Sequence, residues 1–329
     1  MRLLFELSME CESLARSEVR STTETLDAAA SIVFEEPGMV VIETEADPAA
    51  LSERLALCHC VSEHLFSCAP DELMDAARDV DVPGPVRVHS TRVGTSFPEV
   101  DLERTNAAVG GLVRDRLGVD IHSPRSEVRI VLSEQASVGR CMGRIDRSSY
   151  ERRKVRNLPF NHPISIHPKY ARALVNLTRT RPGGRLLDPF CGTGAIVAEA
   201  SLAGFDAVGT DISQRMVEGA RMNLRSLDID AELLRCDIGE ISRAVGDVSG
   251  VATDPPYGRS TSTDGEPLPE LFSRALGACA DVLKNGSRIA MAVPDPVLLE
   301  GSDDFETVEV HPMWVHRSLT RHFCVLRMV

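Results

Sequence analysis

Two short acidic turns carry the chemistry legible in this 329-residue chain. The first reads Asp188-Pro189-Phe190-Cys191-Gly192-Thr193-Gly194. The second, Asp254-Pro255-Pro256-Tyr257-Gly258, follows about 65 residues later. Glycine lets backbone approach a ligand closely and tolerates positive φ, so Gly192 and Gly194 make the first turn a cradle. A dinucleotide loop would read G-x-G-x-x-G. Here an acid opens the turn instead, which suits a positively charged amino-acid tail better than a pyrophosphate. Further on stand Asp211-Ile212 and Asp237-Ile238. Asp211 fits ribose hydroxyls and Asp237 an adenine amino group. An amino-acid tail, a ribose and an adenine together describe S-adenosylmethionine (SAM).

The second turn asks for a different ligand. An exocyclic amino nitrogen on guanine, adenine or cytosine is a poor nucleophile, because its lone pair is delocalised into the ring. Hydrogen bonds from its N–H groups to a carboxylate and a carbonyl localise that lone pair. Asp254 can accept one and the Pro255 carbonyl the other, with the φ angles of Pro255 and Pro256 fixed by their rings. Tyr257 offers a face on which the base can stack. A preplaced carboxylate stabilises the positive charge that develops on the nitrogen, and in-line positioning supplies much of the remainder. Such a base must first leave its stack. The plainer alternative is a proline-stiffened loop.

Charge adds a third feature. The formal net charge is −13, yet residues 140–185 hold 12 bases against two acids, Asp146 and Glu151. Residues 1–80, by contrast, hold 17 acids and 5 bases. A basic island in an acidic chain suits a nucleic-acid backbone. Its candidates are Arg140, Arg144, Arg147, Arg152, Arg153, Lys154 and Arg156, followed by Lys169 and Arg172; the alternative is a solvated charged face. Only Lys154, Lys169 and Lys284 are lysines, so positive charge is almost all arginine. An acidic, lysine-poor surface points to a halophilic setting, where salt screens self-repulsion. A GC-rich genome is the other explanation. In molar salt, RNA binding would rest more on shape and arginine stacking than on counterion release.

Nine cysteines, an odd number, suit free buried thiols rather than a disulfide framework. The cluster Cys58-His59-Cys60, with His64 and Cys68, lacks paired C-x-x-C spacing, so no metal is expected. No apolar run approaches the roughly 20 residues of a membrane helix, and Met1 to Glu10 carries no signal-peptide pattern. The expectation is a cytoplasmic monomer with no membrane partner.

The elements that must position these turns follow from periodicity. Residues 1–147 read as α+β. Strands are expected at 1–7, 86–90, 127–133 and 138–143, with a hairpin about Pro37-Gly38. Helices are expected at 10–22, 48–65 and 101–117. Residues 150–163, rich in Arg and Pro, read as an extended linker. Thereafter short apolar strands ending at or near Asp188, Asp211, Asp237 and Asp254 alternate with helices. That pattern implies a Rossmann-like doubly wound parallel sheet, closed by an antiparallel pair at 306–316 and 319–328. Ligands bind beyond the carboxyl ends of such strands, which is where the four acids fall.

At these residues the chain resembles the THUMP-domain SAM-dependent RNA methyltransferases, and within them the archaeal tRNA guanosine-10 N2-methyltransferases, which make mono- and dimethylguanosine. Besides both turns, the stretch Arg156 to Leu177 (R-N-L-P-F-N-H-P-I-S-I-H-P-K-Y-A-R-A-L-V-N-L) is similar to that family's lead-in to the catalytic domain. The resemblance implies a ferredoxin-like module at 1–48, a THUMP RNA-binding domain at 50–147, a basic linker at 148–163 and a methyltransferase domain at 164–329. It implies that Asp188, Gly192 and Gly194 hold the methionine part of SAM, Asp211 and Asp237 the ribose and adenine, and Asp254 to Tyr257 the guanine of a tRNA. Methylation of guanosine 6, a DNA amino-methyltransferase, and a tRNA-binding protein with a dead site remain alternatives.

Overall fold

A computed structural model describes residues 1–163, 165–257, 265–317 and 319–329. Ile164 and Gly258, which fall in the two motifs above, lie outside the described residues. The chain divides into two compact units. One comprises Met1–Val19, Asp27–Glu53 and Cys58–Ile145; the other comprises Arg20–Leu26, Arg54–Leu57 and Asp146–Val329.

The first unit is built on one seven-stranded sheet. Its strands are β1 (Arg2–Leu7), β2 (Ser31–Glu36), β3 (Met39–Glu43), β4 (Cys58–Cys68), β5 (Val86–Arg92), β6 (Ser126–Leu132) and β7 (Ala136–Arg144). They run in the order β2-β3-β1-β4-β7-β6-β5. Only the β5–β6 pair is parallel, and the helix Leu102–Leu117 connects those two strands. Asp101 caps that helix by accepting a hydrogen bond from Arg104 N, and Gly118 ends it at φ 73°. Val109 and Val113 of the helix pack against Val128 and Ile130 of β6 in one buried cluster.

One expectation fails here. The helix beginning at Pro48 stops at Arg54, and residues 58–68 form strand β4 rather than a continuing helix. β4 lies between β1 and β7, so both of its edges are hydrogen-bonded. Its first residues are buried on both faces, which hides the period of two and leaves Leu55, Leu57, Val61 and Leu65 looking helical. Within β4, His64 bonds Ser67 at 2.9 Å and Cys60 lies 2.9 Å from Cys141 of β7. Among the described residues no three His, Cys, Asp or Glu side chains converge as a metal site. No helix among them is long and apolar enough to cross a membrane.

The second unit contains β8 (Arg185–Asp188), β9 (Asp206–Asp211), β10 (Glu232–Arg235), β11 (Gly250–Thr253), β12 (Arg288–Val293), β13 (Phe305–His316) and β14 (Leu319–Met328). Their order is β10-β9-β8-β11-β12-β14-β13. The first five are parallel, and β14 returns antiparallel between β12 and β13. This is a doubly wound sheet with an antiparallel end. The chain moves outward from β8 to one edge and then restarts at β11 on the other side, so a switch point falls between β8 and β11. Leu187, Val208, Val251 and Ile289 are 1% exposed or less, as apolar strands covered by helices on both faces must be. The start of the stretch expected to be extended is instead helical. Asp146 caps a helix at Arg147–Arg152, and a tight turn follows at Val155–Asn157.

Candidate active site

Each rim acid stands where a strand ends and a turn begins. Asp188 ends β8, Asp211 ends β9, Asp237 lies two residues beyond β10, and Asp254 directly follows β11. The strand order sets them side by side, and all four line one cavity of about 830 Å³. That volume suits a small-molecule or cofactor site. Of the other residues expected at the cofactor, Pro189, Phe190, Gly192, Ile212 and Ile238 also line it. Gly194 does not; its role is to shape the turn.

The glycine turn is locked from both sides. Gly192 and Gly194 adopt φ 49° and 84°, and Gly194 forms the N-terminal cap of the helix Ala195–Leu202. A Cβ on Gly194 would sit 3.1 Å from Ala220, so both conformation and space favour glycine there. Asp211 receives Gly192 N at 3.0 Å and Ser213 N at 2.8 Å, tying the cradle to the next helix. Asp188 is 3% exposed; its Oδ1 accepts from Thr253 Oγ1 at 2.7 Å and from Phe190 N at 3.2 Å. Burial pushes the Asp188 carboxyl up to about 7, and the charges of Asp254 and Asp211 add to the effect. Asp237 accepts hydrogen bonds from Gly239 N and from Arg274, and Arg274 in turn forks onto Glu266 at 3.1 and 2.7 Å.

At the switch point the acceptor geometry is distinctive. Asp254 Oδ1 is buried and, among the described residues, has no hydrogen-bond partner. The other oxygen, Oδ2, lies 3.7 Å from Arg321. Arg321 Nε donates to the Tyr257 hydroxyl at 2.7 Å, and that hydroxyl also bonds the Asp254 carboxylate. Burial raises the Asp254 carboxyl above the usual carboxylate range, and the Arg321 charge opposes it. Burial and the neighbouring Asp254 charge raise the Tyr257 phenol in turn. Pro255 and Pro256 complete this end of the cavity.

Sequence reasoning missed Arg321, Arg274 and Glu266. Arg321 comes from β14, whose register with β12 ends at His322 opposite Val293, leaving Arg321 just past the end of β12. In sequence it is one of two arginines in a terminal strand that also holds Thr320 and His322, and nothing local separates it from Arg327.

The basic island divides. Arg140 pairs with Glu63 at 2.7 Å and Arg144 with Glu127, both within the first unit. In the second unit Arg152 bonds Asp146 at 3.0 Å and Ser148 at 2.7 Å on an exposed surface, and Lys154 lies 2.5 Å from Glu151. Arg147 opens the short helix, and Arg156 is exposed. Arg153 points inward. With Arg172 it clamps Glu199, which is 1% exposed, at distances of 2.6 to 3.1 Å. Their guanidinium groups neutralise a buried carboxylate rather than facing solvent, because an unpaired buried charge is costly.

Residues 153–322 match the RMKL-like methyltransferase domain model. The chain is 35% identical over the full length of both proteins to the tRNA (guanine(10)-N2)-dimethyltransferase of Methanothermobacter thermautotrophicus. It is 28% identical to the Pyrococcus abyssi protein of the same name, over 95% of each chain. A tRNA (guanine(6)-N2)-methyltransferase of Thermus thermophilus matches 66% of this chain and 64% of its own, at 28% identity. The crystal structure of TrmN from Thermus thermophilus shares the fold over 100% of both chains, at 22% identity and a TM-score of 0.59. With a family model matched over more than half of its length and a relative 35% identical over all of it, the chain belongs to the RMKL-like methyltransferase family, alongside the tRNA (guanine(10)-N2)-dimethyltransferases.

Proposed function

We propose that this protein transfers methyl groups from SAM to the exocyclic N2 of guanosine 10 in tRNA, as far as dimethylguanosine. The observation that carries the reading is Asp254 Oδ1: a buried acceptor without a partner among the described residues, at the edge of a cavity large enough for a nucleoside cofactor and a base. A buried acceptor left unmet costs roughly 1–3 kcal/mol, so it calls for a donor, and a guanine N2–H is one. The names of the full-length relatives supply the tRNA and the position.

The residues present fit SAM. Asp188 and Asp254 are buried close enough to raise the carboxyl of Asp188, and a ligand bearing positive charge relieves that repulsion. When bound, SAM supplies an electrophilic methyl group on a sulfonium. Asp188 would hold its ammonium end, Gly192 would admit the methionine backbone, and Asp211 would accept from the ribose. Arg274 holds the Asp237 carboxylate in place at the adenine end. Asp254 and the Pro255 carbonyl orient the guanine amino group, and Asp254 stabilises the positive charge that grows on the nitrogen. As the N–C bond forms the S–C bond would break, and the proton shed by the nitrogen would pass along its hydrogen bond to Asp254 Oδ1 and on to water. Arg321 positions Asp254 and Tyr257, and Tyr257 flanks the base.

The first unit serves as the RNA-binding half: a ferredoxin-like stretch at 1–48 and a THUMP domain at 50–147, joined through residues 148–163 to the methyltransferase domain from 164 onward. Strands on both sides of position 48 share one sheet, so these two stretches would fold as a unit. The backbone grip falls to Arg140, Arg144, Arg147, Arg152, Lys154 and Arg156, with Arg153 left to Glu199. The test is incubation of an unmodified tRNA transcript with SAM, followed by digestion and mass-spectrometric mapping. N2-methylguanosine at position 10 supports the reading. Methylation at guanosine 6 corrects the position, and no methylated guanosine overturns it.

A further inference from the structure

We propose that the β13–β14 hairpin is an RNA contact in its own right, with Trp314 as a stacking platform for an unpaired nucleotide of the bound tRNA. This rests on the reading above.

The hairpin reaches beyond the sheet on the catalytic side. The β12–β14 register ends at Val293 opposite His322. Residues further toward the turn, including the pairs Met313–Arg321 and Trp314–Thr320, therefore extend past the carboxyl end of β12. That is the rim on which Asp254 stands, two strands from β14 and three from β13. Successive side chains of a strand face opposite ways. Arg321 turns to Tyr257 and Asp254 and anchors the hairpin to the pocket, while Trp314 and Thr320 face the other side.

Trp314 is the sole tryptophan of the chain and is 73% exposed. Leaving so large an aromatic in water forfeits its burial. The surrounding charge names the partner. From Val310 to the last residue there is no Asp or Glu, in a chain that carries 49 of them. Arg327 pairs with Glu306, His311 with Glu309 and Arg321 with Asp254, while Arg317 and His316 stand exposed beside Trp314 at the turn. A basic, acid-free segment with an exposed indole suits a polyanion with stackable bases.

A second copy of this chain, adding a strand to the β13 edge, is the competing occupant. Pro312 removes a backbone donor in the middle of that edge, and the strand is irregular between Thr307 and Glu309 and between Trp314 and His316. These features block edge-to-edge pairing.

The single tryptophan makes its own probe. Titration of the full-length protein with an unmodified tRNA transcript should quench its emission to saturation, and the quench should survive added KCl better than phosphate contacts would. Trp314→Ala should weaken tRNA affinity about 5- to 100-fold, the worth of one base–aromatic stack, with SAM affinity unchanged. Trp314→Phe should retain most of the affinity. Absence of quenching, an unaltered tRNA affinity in Trp314→Ala, or dimerisation lost on that substitution would each overturn the assignment. Methylation by the wild type is scored separately. If it is intact while Trp314→Ala changes nothing, the hairpin assignment alone falls; if no guanosine is methylated yet tRNA quenches Trp314, the catalytic reading falls and the RNA contact stands.

Discussion

Removing Arg321 should move the pH dependence of catalysis rather than merely lower the rate. The guanidinium lies 3.7 Å from Asp254, and each side chain is about 15% exposed. At that distance the Coulomb attraction is about 4 kcal/mol at an effective dielectric constant of about 20. Desolvation of the pair offsets part of it, and taking half leaves about 2 kcal/mol in favour of the ionised carboxylate. Asp254 must be ionised to accept from the guanine amino group and to stabilise the cation that forms. Burial already raises its carboxyl, and Arg321 is the group that holds it down. With Arg321→Ala the carboxyl rises further, so activity is lost at a higher pH as pH falls. Single-turnover methylation of tRNA across about pH 5.5 to 9 should show the acid limb displaced upward. The deficit should be largest at low pH and shrink at high pH, with Arg321→Lys falling in between. SAM affinity should be nearly unchanged. A uniformly slower enzyme with an unmoved acid limb would show that Arg321 only fixes Tyr257, and undiminished rates would refute its role altogether.

Three further outcomes are expected. Asp254→Ala should lower kcat by about 10²–10³-fold while SAM still binds, and Asp254→Asn should keep part of the activity through its amide oxygen; wild-type turnover in the alanine variant would remove Asp254 from the mechanism. Because the native Asp188 carboxyl titrates at about 7, above its unfolded value, stability of the ligand-free protein should fall as pH rises from about 4 to 7. SAM, by favouring ionised Asp188, should release protons near pH 7, measurable as a buffer-dependent binding enthalpy in calorimetry. Arg153→Ala should destabilise the fold by about 1–3 kcal/mol, since Glu199 would keep only Arg172, whereas Arg152→Glu should leave thermal stability unchanged and weaken tRNA binding. Equal melting temperatures for the two variants would contradict the division of the basic island.

The strand-end acids were legible because a short parallel strand buried on both faces carries no charge along its core, and the first charged residue after that run marks the rim. Asp188, Asp211 and Asp254 each close such a run, and the glycines and prolines beside them announce turns. Topology then followed from alternation, because a right-handed crossover through a helix leaves few arrangements for five parallel strands. Residues 58–68 resisted the same reasoning. Their preference is set by pairing with β1 and β7, at great sequence distance, and no local period records that. Arg153 and Arg152 are neighbours with the same chemistry, yet one faces Glu199 and the other water; only the direction of each side chain from the short helix separates them. Arg321 was hidden for a related reason. Sequence fixes that a strand is apolar and where it stops, but the register of an antiparallel return decides which of its residues overhangs the rim, and register is a property of two strands together.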